Sequence, residues 1–327
     1  LSWYFSVYTG LRGITGVFGS SIMRKSEVVG ALWFLLFLSS CTPQRTPKTD
    51  EAESLTRGRV ELFCDEAIAP LLASPLKHFD TLYPEAQLQL TVTSAREAMR
   101  QLLARNARII VIARDYLPDE DSLMRAYGVA AHPRVKLAED ALVFFAHPSV
   151  PLDTLNVSQL HAILRGARSF RDFFPSLPRE PELVCPGTAS SVYANLVQQV
   201  LSGTFPKRRM HIVATSDSVL AIVASTPWSI GIGYLSHVAH SRQVRPISLG
   251  YVDSAGHYVS PKPVHQSYIV LRKYPYVVPL YAYLRDDLRN LPWVVATFLG
   301  TDTEVQRHFL QSGIVPAFAR IRLIPEE

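Results

Sequence analysis

From Gly58 onward, short apolar runs alternate with segments of helical spacing. That alternation restricts the chain to strands connected by helices. Val60–Cys64 is a short apolar run and reads as a strand. Ile68, Leu72, Leu76, Phe79 and Tyr83 follow at helical spacing, while Pro70 and Pro75 predict a broken or kinked helix. Leu88, Leu90 and Val92 alternate within the strand Gln87–Val92 and face one way. Ser94-Ala95-Arg96-Glu97 is a capping box that opens a helix to about Ala104. Ile109–Ala113 is uninterrupted and apolar, as expected of a parallel strand covered on both faces. Open sheets of this kind hold ligands at the carboxyl ends of their strands.

A second α/β unit follows. Ala141–Ala146 reads as a buried strand and Val157–Leu164 as a helix stopped at Gly166. Leu183–Cys185 leads into the small-residue loop Pro186-Gly187-Thr188-Ala189-Ser190-Ser191, then a helix to about Ser202 with Gly203 as its stop. Ile212–Ala214, a helix capped by Ser216, and the strands Ile230–Tyr234 and Val244–Leu249 complete the unit. Ser267–Leu271 and Leu280–Leu284 read as strands, and Thr301-Asp302-Thr303-Glu304 as a second capping box. The pattern predicts two lobes around a cleft, 58–146 with 266–327 and 147–265.

Upstream, Met23-Arg24-Lys25 precedes the apolar run Val28–Ser40, which ends in Leu38-Ser39-Ser40-Cys41. A basic start, a short apolar core and small residues before the cleavage point make a secretory signal. The ending resembles a bacterial lipobox, in which the cysteine is lipidated and becomes the new N-terminus. The run falls short of the about 20 residues of a comfortable spanning helix; an uncleaved short anchor is the alternative. The expectation is an upstream extension over 1–22, a signal peptide over 23–40 and a flexible tether over 41–57. Lipidation at Cys41 would place the domain in the cell envelope, outside the cytoplasm and anchored to a membrane.

From Cys41 the chain keeps 287 of its 327 residues, with 30 basic against 27 acidic side chains. That balance, with no basic run interleaved with aromatics, argues against nucleic acid as a partner. Cys64 and Cys185 exclude a disulfide scaffold and leave free thiols or a single bridge. No Gly-x-Ser-x-Gly elbow, Walker loop, His-Glu-x-x-His or Cys-x-x-Cys pair occurs, so neither an enzyme nor a metal or cofactor site is expected. His237 and His240 read as surface residues.

Several stretches resemble the substrate-binding proteins of phosphate ABC transporters, in a lipoprotein-type branch. They are Asp140-Ala141-Leu142-Val143, Leu155-Asn156-Val157-Ser158-Gln159-Leu160 and Ile230-Gly231-Ile232-Gly233-Tyr234. Near the end come Tyr274-Pro275, Pro279-Leu280-Tyr281, Phe298-Leu299, Glu304-Val305-Gln306 and Ser312-Gly313-Ile314-Val315-Pro316, in the family's order. The resemblance implies a type II periplasmic-binding-protein fold, in which two α/β lobes joined by crossing strands close over a ligand cleft. It implies capture of a small oxyanion, most of all phosphate, and its delivery to an ABC permease.

A dehydrated oxyanion needs many donors, and helix starts supply them. Ser94 stands where the family has a ligand-contacting hydroxyl or amide; an ordinary N-cap reads equally well. Arg114 ends the strand Ile109–Ala113, where its guanidinium serves either a phosphate or an ion pair with Asp115. Thr188-Ala189-Ser190-Ser191 occupies the place of the family's Gly-Ser-Gly-Thr loop, with Ala189 where a serine should be and no arginine upstream. Ser190 and Ser191 remain as donors. Asp65, Glu66 and Asp217 read as acids complementing helix dipoles. A sensory or structural lipoprotein that keeps the fold, and a surface phosphatase, are the competing functions.

Overall fold

A computed structural model describes residues 54–318. The upstream extension, the signal peptide, Cys41 and the tether up to residue 53 lie outside the described residues. In chain order the first elements are β1 (Gly58–Asp65), α1 (Ala69–Leu82), β2 (Ala86–Thr93), α2 (Ala95–Leu103), β3 (Ile109–Ile112) and α3 (Pro118–Ala126). The long β4 (Arg134–Ala146) leads to β5 (Thr154–Asn156), α4 (Val157–Leu164) and α5 (Phe170–Phe173). Then come β6 (Glu182–Pro186), α6 (Ser191–Asn195), a π-helical turn over Leu196–Val200, β7 (His211–Val213), α7 (Ser216–Ser225) and β8 (Ser229–Tyr234). After α8 (Leu235–Val238) follow β9 (Arg245–Pro246), β10 (Ser248–Val252), β11 (Tyr258–Val259) and α9 (Gln266–Val270). The chain returns through β12 (Val277–Leu284), α10 (Leu291–Thr301), α11 (Thr303–Gln311) and β13 (Val315–Pro316).

The principal sheet runs β2-β1-β3-β12-β4-β8-β6-β7. Strand β4 joins its two halves. Residues Arg134–Ala141 pair with β12, and Leu142–Ala146 then pair with β8. Within each half the flanking strands are parallel, β2-β1-β3 on one side and β8-β6-β7 on the other. The C-terminal helices α10 and α11 pack on β4 and α1, and α7 packs on β6 and β8. The strand Ile230–Tyr234 carries glycine for a packing reason: a Cβ on Gly231 would lie 2.6 Å from the Phe145 ring and 2.9 Å from Val223.

Several local expectations need correction. Pro75 does not break α1, which is continuous through it. The missing N–H at Pro75 frees the carbonyl of Leu71, four residues back. His308 Nε2 lies 3.1 Å from that oxygen and satisfies it. Leu88, Leu90 and Val92 share a face, but β2 is an edge strand, and Leu90 and Val92 are exposed. Ser267–Leu271 is not a strand. Gln266–Val270 forms the helix α9, started by the His265 side chain accepting from Ser267 N, with Ile269 as its one buried residue. Val244–Leu249 is split into β9 and β10 after Pro246, which has no N–H to continue a ladder. The caps also shift by one residue: Thr215 rather than Ser216 caps α7, and Asp302 rather than Thr301 caps α11. The helix α3 was not foreseen, although Pro118 and three acids in its first turn and Gly128, at φ +64° just past its C-cap, are start and stop signals.

Candidate functional site

The carboxyl ends of the strands in the two halves meet along a seam. Asp65 ends β1, Ala113 and Arg114 follow β3, and Ser94 follows β2. Opposite them stand Gly187–Ser191 after β6, Thr215-Ser216 after β7 and Tyr234 at the end of β8. Hydrogen bonds cross the seam throughout its length. Arg96 N donates to Ala189 O at 3.1 Å, joining the start of α2 to the serine-bearing loop. Asn195 Nδ2 donates to Ala113 O at 2.7 Å and to Tyr234 Oη at 2.8 Å. Tyr234 Oη in turn donates to Ser191 Oγ at 2.8 Å. Ser216 donates through its N–H and its hydroxyl to the Glu66 carboxylate, at 3.0 and 2.9 Å.

At the centre lies the fully buried carboxylate of Asp65. It accepts from Ala67 N on its own side and from Ala113 N, each at 3.4 Å. Burial pushes the Asp65 carboxyl up, against the Ser191 hydroxyl, the two amides and the Arg114 charge that hold it down. Burial likewise raises Glu66, with the negative charge of Asp65 adding to it, while both Ser216 contacts and His237 oppose. Asp140, buried where β4 passes from one half of the sheet to the other, is raised by desolvation too. Its Oδ1 accepts from Ala141 N at 2.7 Å and from Ser236 N at 3.3 Å. The seam thus holds three buried or half-buried carboxyl groups, each biased toward its protonated form. Groups of this kind accept hydrogen bonds when ionised and donate one when protonated.

The four expected site residues are distributed unequally. Ser190 and Ser191 are buried at the seam, Ser190 as the N-cap of α6 accepting from Tyr193 N. Ser94 caps α2 by accepting from Glu97 N at 3.3 Å. The capping box is half formed, because the Glu97 carboxylate turns instead to Arg100 and Gln101. Arg114 is buried, and the expected ion pair with the Asp115 carboxylate is not formed. Its two terminal nitrogens each donate to Glu120 at 2.7 Å, and it also reaches the carbonyls of Asp115 and Ala95. The Asp115 carboxylate pairs with Arg134 instead.

His237 is not a surface residue. It is half-buried with Nε2 2.5 Å from Ala67 O across the seam, whereas His240 is exposed and meets Gln311 O. Glu120, Asn195 and Tyr234 were missed as seam or support residues. Only Tyr234 had a signal, as the end of a recognised strand. Cys64 and Cys185 are both free and buried, and burial raises both thiols. Among the described residues no cluster of His, Cys, Asp and Glu could hold a metal ion, and no helix is long and apolar enough to cross a membrane.

Residues 49–299 match the model of the PBP superfamily domain. A search of the curated proteins returns no match. Among solved structures, similarity extends to a Clostridium perfringens protein solved with bound phosphate and described as a phosphate ABC transporter substrate-binding protein. The two are 14% identical with a TM-score of 0.67, over 79% of this chain and 99% of that one. An ABC-type phosphate transport receptor from Vibrio cholerae is 13% identical with a TM-score of 0.61, over 79% and 100% of the respective chains. PstS from Borrelia burgdorferi is 16% identical with a TM-score of 0.52, over 79% and 98%. The fold expected from the sequence, two α/β halves of the periplasmic-binding-protein type, agrees with these matches.

Proposed function

The chain belongs to the PBP superfamily domain family, and from that premise we propose that it is an extracytoplasmic solute-binding lipoprotein. In this reading Cys41 carries the lipid, and the lobes are 58–146 with 266–327 and 147–265. A small oxyanion, phosphate, is held between them and handed to an ABC permease. No catalytic step belongs to this function.

The observation that carries the reading is the seam itself. There the Ser191 hydroxyl meets the buried Asp65 carboxylate, α7 starts on the Glu66 carboxylate, and the start of α2 meets the Ala189 carbonyl beside Ser190. Ser94, Ser190 and Ser191 act as ligand donors. Arg114, locked by Glu120, contributes from behind as a fixed positive charge. In their ionised form Asp65 and Glu66 then select for an anion that brings its own proton. Phosphate near neutral pH is protonated and can donate to a carboxylate; sulfate cannot, and would meet like charge at close range.

Calorimetric titration of residues 51–327, which form one compact unit, with phosphate, sulfate, molybdate and a phosphonate tests this. Saturable heat with phosphate and far weaker heat with sulfate is the expected result. Absence of heat with every anion would instead support the sensory or structural reading. That reading has one observation of its own: the Glu66 carboxylate already fills the start of α7, where an anion would sit.

A further inference from the structure

The amino-terminal edge of β6 and β7 lies at the other end of these strands from the seam, and it carries most of the chain's excess charge. Residues 164–182 with 206–211 hold seven arginine or lysine side chains against three carboxylates, four of the chain's five net positive charges. The two segments are packed together. Lys207 N and Arg208 N both donate to Leu164 O at 3.0 Å. Gly166, just after α4, adopts φ +69°, a conformation that favours glycine.

The acidic groups are already engaged. Glu180 pairs with Arg208 and accepts from the amides of Phe170 and Arg171. Asp172 accepts from Ser169 N, and Glu182 lies 3.7 Å from His211. Arg165, Arg168, Arg171, Lys207 and Arg209 are exposed and make no salt bridge among the described residues. Lys207, Arg208, Arg209, Met210 and Ile212 line one hollow of about 830 Å³, and Ile212 is 47% exposed. An adjoining hollow of about 490 Å³ shares Arg208 and adds Arg171.

We propose that this pole is a docking surface for an anionic phospholipid bilayer, with its unpaired cations on lipid phosphates and Met210 and Ile212 against the headgroup layer. Guanidinium matches phosphate bidentately. Each basic side chain near an anionic surface adds attraction that falls off within a Debye length. The aromatics interleaved with these cations, Phe170, Phe173 and Phe174, are buried or packed against the core, and the exposed Phe205 lines a different hollow with Arg96 and Tyr193, which disfavours a nucleic acid as the polyanion. The proposal rests on the charge of the folded domain alone, so it stands or falls separately from the anion reading of the seam.

The test is co-sedimentation of residues 51–327, lacking the signal and lipid site, with phosphatidylcholine vesicles with and without phosphatidylglycerol. Binding should require phosphatidylglycerol and decline with added salt. R168E/K207E/R209E should weaken it on the order of a hundredfold, with an unchanged melting temperature. The control K77E/K273E, on other exposed positions, should bind nearly as well as the parent domain. Binding indifferent to phosphatidylglycerol, or equal loss in both variants, would overturn the proposal. So would binding to heparin or polyphosphate with none to vesicles.

Discussion

Glu66 and Ser216 make the clearest contact across the seam, and replacing Glu66 has a sign that bond counting alone gets wrong. Ser216 gives the carboxylate two hydrogen bonds, at 3.0 and 2.9 Å. Bonds to a charged group are each worth about 1.5–3 kcal/mol at most. Burial nevertheless raises the Glu66 carboxyl in spite of both bonds. Desolvation of the charge, with the repulsion from Asp65, therefore outweighs what Ser216 and His237 return. A carboxyl raised by folding contributes stability that is fully present below its unfolded pKa and is lost as pH rises through its folded pKa.

Glu66→Gln keeps the shape and an acceptor while discarding the charge. It should leave the domain at least as stable as the parent at neutral pH. The fall in stability from mildly acidic to neutral pH should be shallower than in the parent. Glu66→Ala leaves Ser216 without its partner and should cost about 1–2 kcal/mol. Denaturant unfolding of residues 51–327 across that pH range gives both numbers. A Gln variant as destabilised as Ala at neutral pH, or a pH slope identical to the parent's, would refute the desolvation argument.

Two further outcomes follow from named contacts and a third from the lipobox-like sequence at Cys41. Arg114→Ala should destabilise the domain by about 3–5 kcal/mol, because Glu120 would be left buried and unpaired; unchanged unfolding with lost phosphate heat would make Arg114 a direct ligand instead. Tyr234→Phe removes a hydroxyl bonded to Asn195 and Ser191, and should cost about 1–3 kcal/mol and loosen amide exchange around Ala113; protection equal to the parent's would show the seam is held elsewhere. Labelling cells with a palmitate analogue should mark the parent chain and spare Cys41→Ala; equal labelling of both would remove the lipidation assignment.

Strand-helix alternation and the parallel-sheet character of Ile109–Ala113 were legible because both depend on local periodicity. Ser94 and Ser190 were legible as helix starts for the same reason. What the sequence concealed is pairing at a distance. Nothing local distinguishes Glu120 from Asp115 as the partner of Arg114; the choice is made by α3, whose N-terminal turn aims Glu120 back at the end of β3. The contacts of Glu66 with Ser216 and of His237 with Ala67 span 150 and 170 residues. Asp65 and Glu66 read as dipole-complementing acids, yet their setting is decided by loops from the other half of the sheet. The strand expected at Ser267–Leu271 failed for a different reason: a local cap at His265 started a helix there in spite of the β-prone residues.

A crystal structure of residues 51–327 grown with saturating phosphate bears most directly on the central claim. The account predicts an oxyanion between the starts of α2, α6 and α7, within hydrogen-bonding distance of Ser94, Ser190 and Ser191, with Asp65 or Glu66 accepting its proton. A seam still closed on the Glu66–Ser216 contact, with phosphate absent or bound only on the outer surface, would contradict it.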